Sequence, residues 1–210
     1  MDERNDLIKK IQARGILKSP GIKEALLAID RRDFVLPKYR PHAYLDQPLP
    51  IGEGQTISQP STVVFMLELL GVEKDHKVLD GGSGSGWTTA LLSHLVGSRG
   101  EVVAIERLAS LKKFGEENYR KTPYQNALFI LGNGARGYPS KAPFDRILIS
   151  AGANTLPKDL LSQLALGGKL LIPLQDFKGN LLLVEKIGHD EYNKRYYPGF
   201  AFVPFVEPSD

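Results

Sequence analysis

Apolar residues recur along the chain with two different periods, and their order predicts the fold. Leu7, Ile8 and Ile11 lie at helical spacing within residues 6–13, and the stripe stops at Gly15, a residue free to take the left-handed conformation that ends helices. Ser19-Pro20 then reads as an N-cap with proline at the first helical position, followed by a stripe of Ile22, Leu26 and Ile29. Two such amphipathic helices cannot stand alone, so the pair should pack on the rest of the chain or cover its mouth. Residues 34–60 carry five prolines and show neither period, which predicts a long irregular segment. Tyr39, Tyr44, Leu45, Leu49 and Ile51 give that segment enough apolar surface to stay ordered.

Beyond it, helical stripes alternate with short apolar runs. Helices are predicted over residues 60–70, 88–96, 108–121 and 156–166, and strands over 77–79, 101–106, 127–131, 144–150, 169–173, 180–187 and 200–205. This order predicts an α/β chain: a doubly wound, Rossmann-like, mostly parallel sheet of about seven strands, antiparallel where strands follow one another without a helix. A single domain over residues 1–210 is expected, with an N-terminal helical extension and irregular segment in 1–60 and the α/β core in 61–210.

The first strand of that core runs into Lys77-Val-Leu-Asp-Gly-Gly-Ser-Gly-Ser-Gly-Trp87. Strand, glycine turn and helix together aim backbone N–H groups and a helix N-terminus at a ligand. A dinucleotide fingerprint would want glycine or alanine at position 87, where this chain has Trp87, and the pattern is instead Asp80-x-Gly82-x-Gly84-x-Gly86. An acid at the strand end repels a pyrophosphate and attracts a cationic or zwitterionic ligand, which points to S-adenosylmethionine. The second strand ends at Glu106, twenty-four residues after Gly82, where such folds place an acid on ribose hydroxyls. Asp80, Gly82, Gly84, Gly86 and Glu106 are therefore the candidate cofactor residues.

Composition narrows the classes. The computed pI of about 9.0 suggests nucleic acid until the charges are located: residues 1–50 hold ten Lys/Arg against seven Asp/Glu, and the remainder is balanced at 17 against 17. No basic cluster of the kind that grips a phosphate backbone exists, so no nucleic-acid partner is expected. Zero cysteine excludes disulfides and thiolate metal sites, and His42, His76, His94 and His189 are too dispersed for a local ligand motif; no metal is expected. The N-terminus lacks the apolar segment of a secretory signal and no run is long enough to span a bilayer, so a cytoplasmic protein without a membrane partner is expected.

Thr56 and Ser58 place hydroxyls just ahead of the helix predicted from residue 60, where free N–H groups collect. Ser58 is open to two readings, a helix N-cap or a functional hydroxyl. Asp46-Gln-Pro-Leu-Pro-Ile51 followed by Gly54-Gln-Thr-Ile-Ser-Gln-Pro60 resembles the loop particular to protein-L-isoaspartate O-methyltransferases, class I S-adenosylmethionine-dependent enzymes that act on damaged proteins. Val78 to Gly86, Ala104-Ile-Glu106, Ala142-Pro-Phe-Asp145, Gly167-Gly-Lys-Leu170 and Ala201-Phe-Val-Pro204 sit where that family has its other blocks. The resemblance implies methyl transfer to the free α-carboxylate of isoaspartyl residues in proteins and peptides, with an ester that leaves the enzyme and collapses to a succinimide. It implies Ser58 as the catalytic serine and Asp46, Thr56, Ile57, Ser58 and Val203 as substrate contacts, with residues 201–206 near the peptide channel. It implies a monomer, and it places Asn133 against the adenine, where the family usually has aspartate. Asp80 departs in the same way, since glutamate is common there. Neither change removes a hydrogen-bond acceptor.

Overall fold

The computed structural model describes residues 2–176 and 178–203. Helix α1 (Glu3–Ala13) is capped by the Asp2 side chain, which accepts from the Arg4 and Asn5 N–H groups, and ends before Gly15 at a φ of +69°. Helix α2 (Pro20–Ala28) follows. Its cap residue is Ser19, as the sequence suggests, but the hydroxyl donates to Glu68 Oε2 at 2.7 Å instead of capping its own helix.

Residues 34–60 are more regular than the prolines suggest. After 3-10 turns over Arg31–Phe34 and Pro37–His42, strands β1 (Leu49–Gly52) and β2 (Gln55–Ile57) form an antiparallel hairpin. Three successive residues of positive φ, Gly52, Glu53 and Gly54, make its turn. Leu49, Ile51 and Ile57 are buried while Pro50 and Thr56 face out, a period-2 pattern too short to register among the prolines.

Helix α3 (Pro60–Leu70) leads to β3 (Lys77–Gly81), α4 (Trp87–Val96), β4 (Glu101–Glu106), α5 (Ala109–Tyr119), β5 (Ala127–Leu131) and β6 (Phe144–Ile149). The expected helix over 156–166 is only α6 (Lys158–Ser162), because β7 (Leu164–Pro173) begins two residues later. Between the pairs Phe144↔Leu164 and Arg146↔Lys169 the longer strand bulges outward, with Gly167 at a φ of +73° and Leu166 exposed. The strand after β8 (Leu181–Gly188) is β9 (Glu191–Tyr197), which the sequence reading passed over. Its residues are mostly exposed and polar, suited to a sheet edge, and carry no apolar alternation to betray it. The strand expected over 200–205 is absent from 200–203, and its remainder lies outside the described residues.

The seven strands run in the order β5-β4-β3-β6-β7-β8-β9. The pairs from β5 to β7 are parallel and the last two antiparallel, as the missing helices between β7, β8 and β9 require. Alternation along the strands sends Val78, Val102, Ala104 and Leu148 to one face, where they join α1 to α5 in one core. Leu79, Val103, Ile105 and Ile147 point the other way, against α6. The N-terminal helix pair thus packs against α3 and α4 on a face of the sheet and does not cover its mouth. Among the described residues no helix is long and apolar enough to cross a membrane.

Candidate active site

The strand order reverses between β3 and β6, and in open α/β sheets the crevice at that reversal, at the strands' C-terminal ends, is where ligands bind. A cavity of about 890 Å³, including its open mouth, lies there. Gly82, Ser83 and Gly84 after β3, Glu106 ending β4, Asn133 after β5, and Ser150 after β6 all contribute to its wall.

The glycine loop is folded back on β4. The N–H groups of Gly82 and Ser83 donate to the Ile105 carbonyl at 2.8 and 3.1 Å, and the Gly84 N–H donates to Glu106 Oε2 at 2.9 Å. Glu106 Oε1 accepts from the Leu108 N–H at 3.0 Å, so one carboxylate holds both the loop and its own turn. Gly84 has a φ of +49°, and a Cβ there would lie 3.2 Å from Ile51 Cδ1, against the hairpin on the far wall. Gly86 has another duty. At a φ of +81° it starts α4, and a Cβ would strike the Gly115 carbonyl oxygen at 2.5 Å, so this glycine lets α4 and α5 approach. It does not line the cavity.

Asp80 does not line it either. Period-2 alternation puts its side chain on the Val78 face, beneath α4, where Oδ2 accepts from the Thr89 hydroxyl at 2.6 Å and Oδ1 has no protein partner. It is fully buried, and burial pushes its carboxyl up to about 7, against the Thr89 hydrogen bond and with the Glu106 charge adding to the rise. Its charge reaches the site through protein instead of by contact. Asn133 does reach the wall, but its side-chain oxygen also accepts from the Ala135 N–H at 2.9 Å and caps a short turn.

A second, wider groove of about 1570 Å³, again including open solvent, adjoins the first between α3 and residues 199–203. The two share Thr56, Ser58, Ser150 and Val203 as a common wall. Ile57 is buried and lines the inner cavity alone. The cap position of α3 belongs to Gln59 and not to Ser58, so the hydroxyl of Ser58 is not spent on the helix. Asp46 stands apart from both cavities' walls. Its Oδ1 accepts from the Ser61 N–H at 2.8 Å, capping α3 from a distance, and its Oδ2 pairs with Arg14 Nη1 at 2.9 Å. Ser150 and Ile51 are among the lining residues that escaped the sequence reading. Ser150 was legible only as part of the small run after β6, and Ile51 is aimed by a hairpin that the prolines concealed. Among the described residues no cluster of His, Cys, Asp or Glu is able to hold a metal ion.

The site fits an adenosyl sulfonium better than a phosphate-bearing ligand, because acidic Glu106 lines a cradle whose glycines leave room at the backbone, with Asp80 buried behind it. Comparison with known proteins agrees. The chain is 43% identical over 205 residues to the protein-L-isoaspartate O-methyltransferase of Methanopyrus kandleri, covering 97% of this chain and 91% of that one. It is 42% identical to that of Staphylothermus marinus, over 98% and 94% of the two chains. It is similar in structure to a Plasmodium falciparum protein described as a protein-L-isoaspartate O-methyltransferase and crystallised with S-adenosyl-L-homocysteine, at a TM-score of 0.88 and 26% identity over 98% and 99% of the chains. Residues 2–210 match the family defined as protein-L-isoaspartate(D-aspartate) O-methyltransferase, and with the cradle, the hairpin and the adjoining groove in their places, the chain belongs to that family.

Proposed function

We propose that the chain moves a methyl group from S-adenosylmethionine to the free α-carboxylate of L-isoaspartyl residues in damaged proteins and peptides. The observation that carries this reading is the junction of the two cavities: a glycine-walled cradle bearing Glu106 meets a wider groove at a wall bearing the hydroxyls of Thr56, Ser58 and Ser150. The cradle suits a nucleoside sulfonium and the groove suits a length of polypeptide. When bound, S-adenosylmethionine supplies a methyl on a cationic sulfur, open to displacement by a carboxylate oxygen.

In an isoaspartyl linkage the chain runs through the side-chain carbonyl and the α-carboxylate is already an anion, so no strong base is required. No histidine lines either cavity. What the site must supply is alignment and dryness. Ser58 and Thr56 donate hydrogen bonds that orient the carboxylate, while Ile51, Ile57 and Val203 keep water from the junction. Glu106 and Asn133 hold the nucleoside, and Gly82 and Gly84 let it approach the backbone. Asp46 serves the substrate side indirectly, by fixing the helix that follows Ser58.

The partner is protein and not nucleic acid. Among the described residues the groove's one charged lining residue, Arg14, is already paired with Asp46. The chain acts as a monomer on aged cytoplasmic proteins. Transfer of labelled methyl to an isoaspartyl peptide, with the normal aspartyl peptide and RNA as controls, tests the whole reading. Label on the isoaspartyl peptide alone is expected, and label on RNA or on neither peptide refutes it.

A further inference from the structure

The wider groove carries aromatic side chains that methyl transfer itself does not use. Phe65 lines it from α3, on the same face as Ser61 and Thr62, and the segment 199–203 adds Phe200 and Phe202.

These rings are held in place before any ligand arrives. Phe65 stacks on Phe200 with centroids 5.2 Å apart and planes 22° from parallel, and Tyr197 on β9 meets Phe65 edge-on at 5.8 Å. The backbone that carries Phe200 and Phe202 is pinned on both sides. Gly199 and Phe200 donate their N–H groups to the Lys178 and Gly179 carbonyls at 3.1 and 2.8 Å, and the Val203 carbonyl accepts from the Gly152 N–H at 2.8 Å. Phe65, Phe200 and Phe202 are nevertheless all only partly buried.

Aromatic surface left half-exposed beside the junction gains by meeting another apolar group, and its rigidity spares the cost of ordering it. A charged side chain finds no such gain. Among the described residues no acid lines the groove to offset a lysine, and Arg14 is already paired with Asp46. Phe65 stands five residues beyond Pro60 on α3, a rise of about 7.5 Å, and an extended peptide at about 3.3 Å per residue covers that in two or three residues. Resting on the methyl-transfer reading above, we infer that Phe65, with Phe200 and Phe202, forms a selectivity subsite for an apolar or aromatic side chain two or three residues from the isoaspartyl residue. Such neighbours are mostly buried in intact proteins. The subsite therefore favours damage in chains that have lost their structure over damage on a polar surface.

The test uses peptides that share one isoaspartyl residue and carry Phe, Ser or Lys two or three residues away, on either side, with the full chain at saturating S-adenosylmethionine. Phe on one side should lower KM about five- to tenfold relative to Ser, and Lys should not. Phe65→Ala should bring that ratio close to one. Partial unfolding of the variant removes active enzyme from both assays alike and leaves the KM ratio unmoved, so the ratio reports the ring. Phe202→Ala, which keeps the Phe65 stack, should at least halve it. A wild-type ratio near one, Lys serving as well as Phe, or a ratio unmoved by either substitution overturns the inference and leaves methyl transfer standing. Methylation of none of the peptides sinks the methyl-transfer reading and the subsite with it.

Discussion

The Glu106 carboxylate accepts a hydrogen bond from the Gly84 N–H at 2.9 Å, tying the end of β4 to the middle of the glycine loop twenty-two residues earlier. The acid proposed to meet ribose hydroxyls therefore also shapes the cavity wall that the glycine loop forms. Glu106→Ala leaves two backbone donors, on Gly84 and Leu108, without their partner, at about 1–3 kcal/mol each. It should lower both Tm and cofactor affinity. Glu106→Gln keeps one acceptor oxygen and should lose affinity by about tenfold with a smaller fall in Tm. Calorimetry and thermal unfolding on the two variants check this, and equal Tm losses would show that the loop bond carries no weight.

Asp80 makes stability and cofactor binding respond to pH in opposite senses. Its folded pKa of about 7 lies above the ordinary 3.8, so the folded state keeps a proton that the unfolded chain releases. As pH rises from about 4 to 7 the folded state loses stability through this group, at up to about 1.4 kcal/mol per pH unit, and above 7 the loss is complete. Ionised Asp80 in turn attracts a cationic ligand. Asp80→Asn should flatten the decline in stability between pH 4 and 7 and remove a rise in cofactor affinity near pH 7. Denaturant titrations and binding isotherms across that range measure both slopes.

Most of the parallel sheet was legible because its buried strands are continuous apolar runs bounded by glycine and polar residues, and their order dictates the crevice. The positions of Gly82, Gly84 and Glu106 on the cavity wall follow from motif spacing along that order, whereas Asn133 was placed there by the family resemblance. Two of the failures, β9 and the hairpin, lie where burial is one-sided or absent, and that of Asp80 has a separate cause. β9 is an exposed edge with no apolar rhythm, and the hairpin hides its three buried residues among prolines. Asp80 was placed in the cavity because spacing along the chain says nothing about which side of a strand a residue faces until the helix beside it is known.

Asn133 has one oxygen engaged with the Ala135 N–H, and its NH2 can only donate. In Asn133→Asp one carboxylate oxygen keeps the turn while the other becomes a charged acceptor for the adenine amino group. Cofactor affinity should tighten several-fold, since a bond to a charged acceptor exceeds one to a neutral acceptor by about 1 kcal/mol. Isothermal titration decides it. An unchanged affinity would confine Asn133 to turn formation.

Asp46 illustrates a residue that a motif marks for substrate and the fold employs as support. Its carboxylate caps α3 at the Ser61 N–H, so Asp46→Ala should cost stability on the order of 1 kcal/mol, as the loss of a cap does. The Arg14 pairing adds little, because the arginine side chain is 56% exposed. At temperatures well below Tm the turnover number should stay within a few-fold of wild type. A collapse of kcat at unchanged Tm would return Asp46 to the substrate.

Ser58 is the opposite case. Were it the cap of α3, Ser58→Ala would lower stability by about 1 kcal/mol and leave activity intact. The cap position is held by Gln59, and the Ser61 N–H is satisfied by Asp46, so the hydroxyl has no structural employment at the helix start. It faces instead the junction of the two cavities, shared with Thr56, Ser150 and Val203. A hydroxyl that donates to an anionic nucleophile contributes about 1.5–3 kcal/mol to its alignment. Ser58→Ala should therefore reduce kcat/KM for an isoaspartyl peptide by about 10- to 150-fold while Tm and cofactor affinity hold. A pure loss of ground-state binding would raise KM alone, whereas lost alignment at the methyl lowers kcat as well. Thr56→Val on the same wall should cost less, because Thr56 is the more exposed of the two and its hydrogen bond competes with water. If Ser58→Ala melts early and turns over normally, the helix and not the substrate is what Ser58 serves.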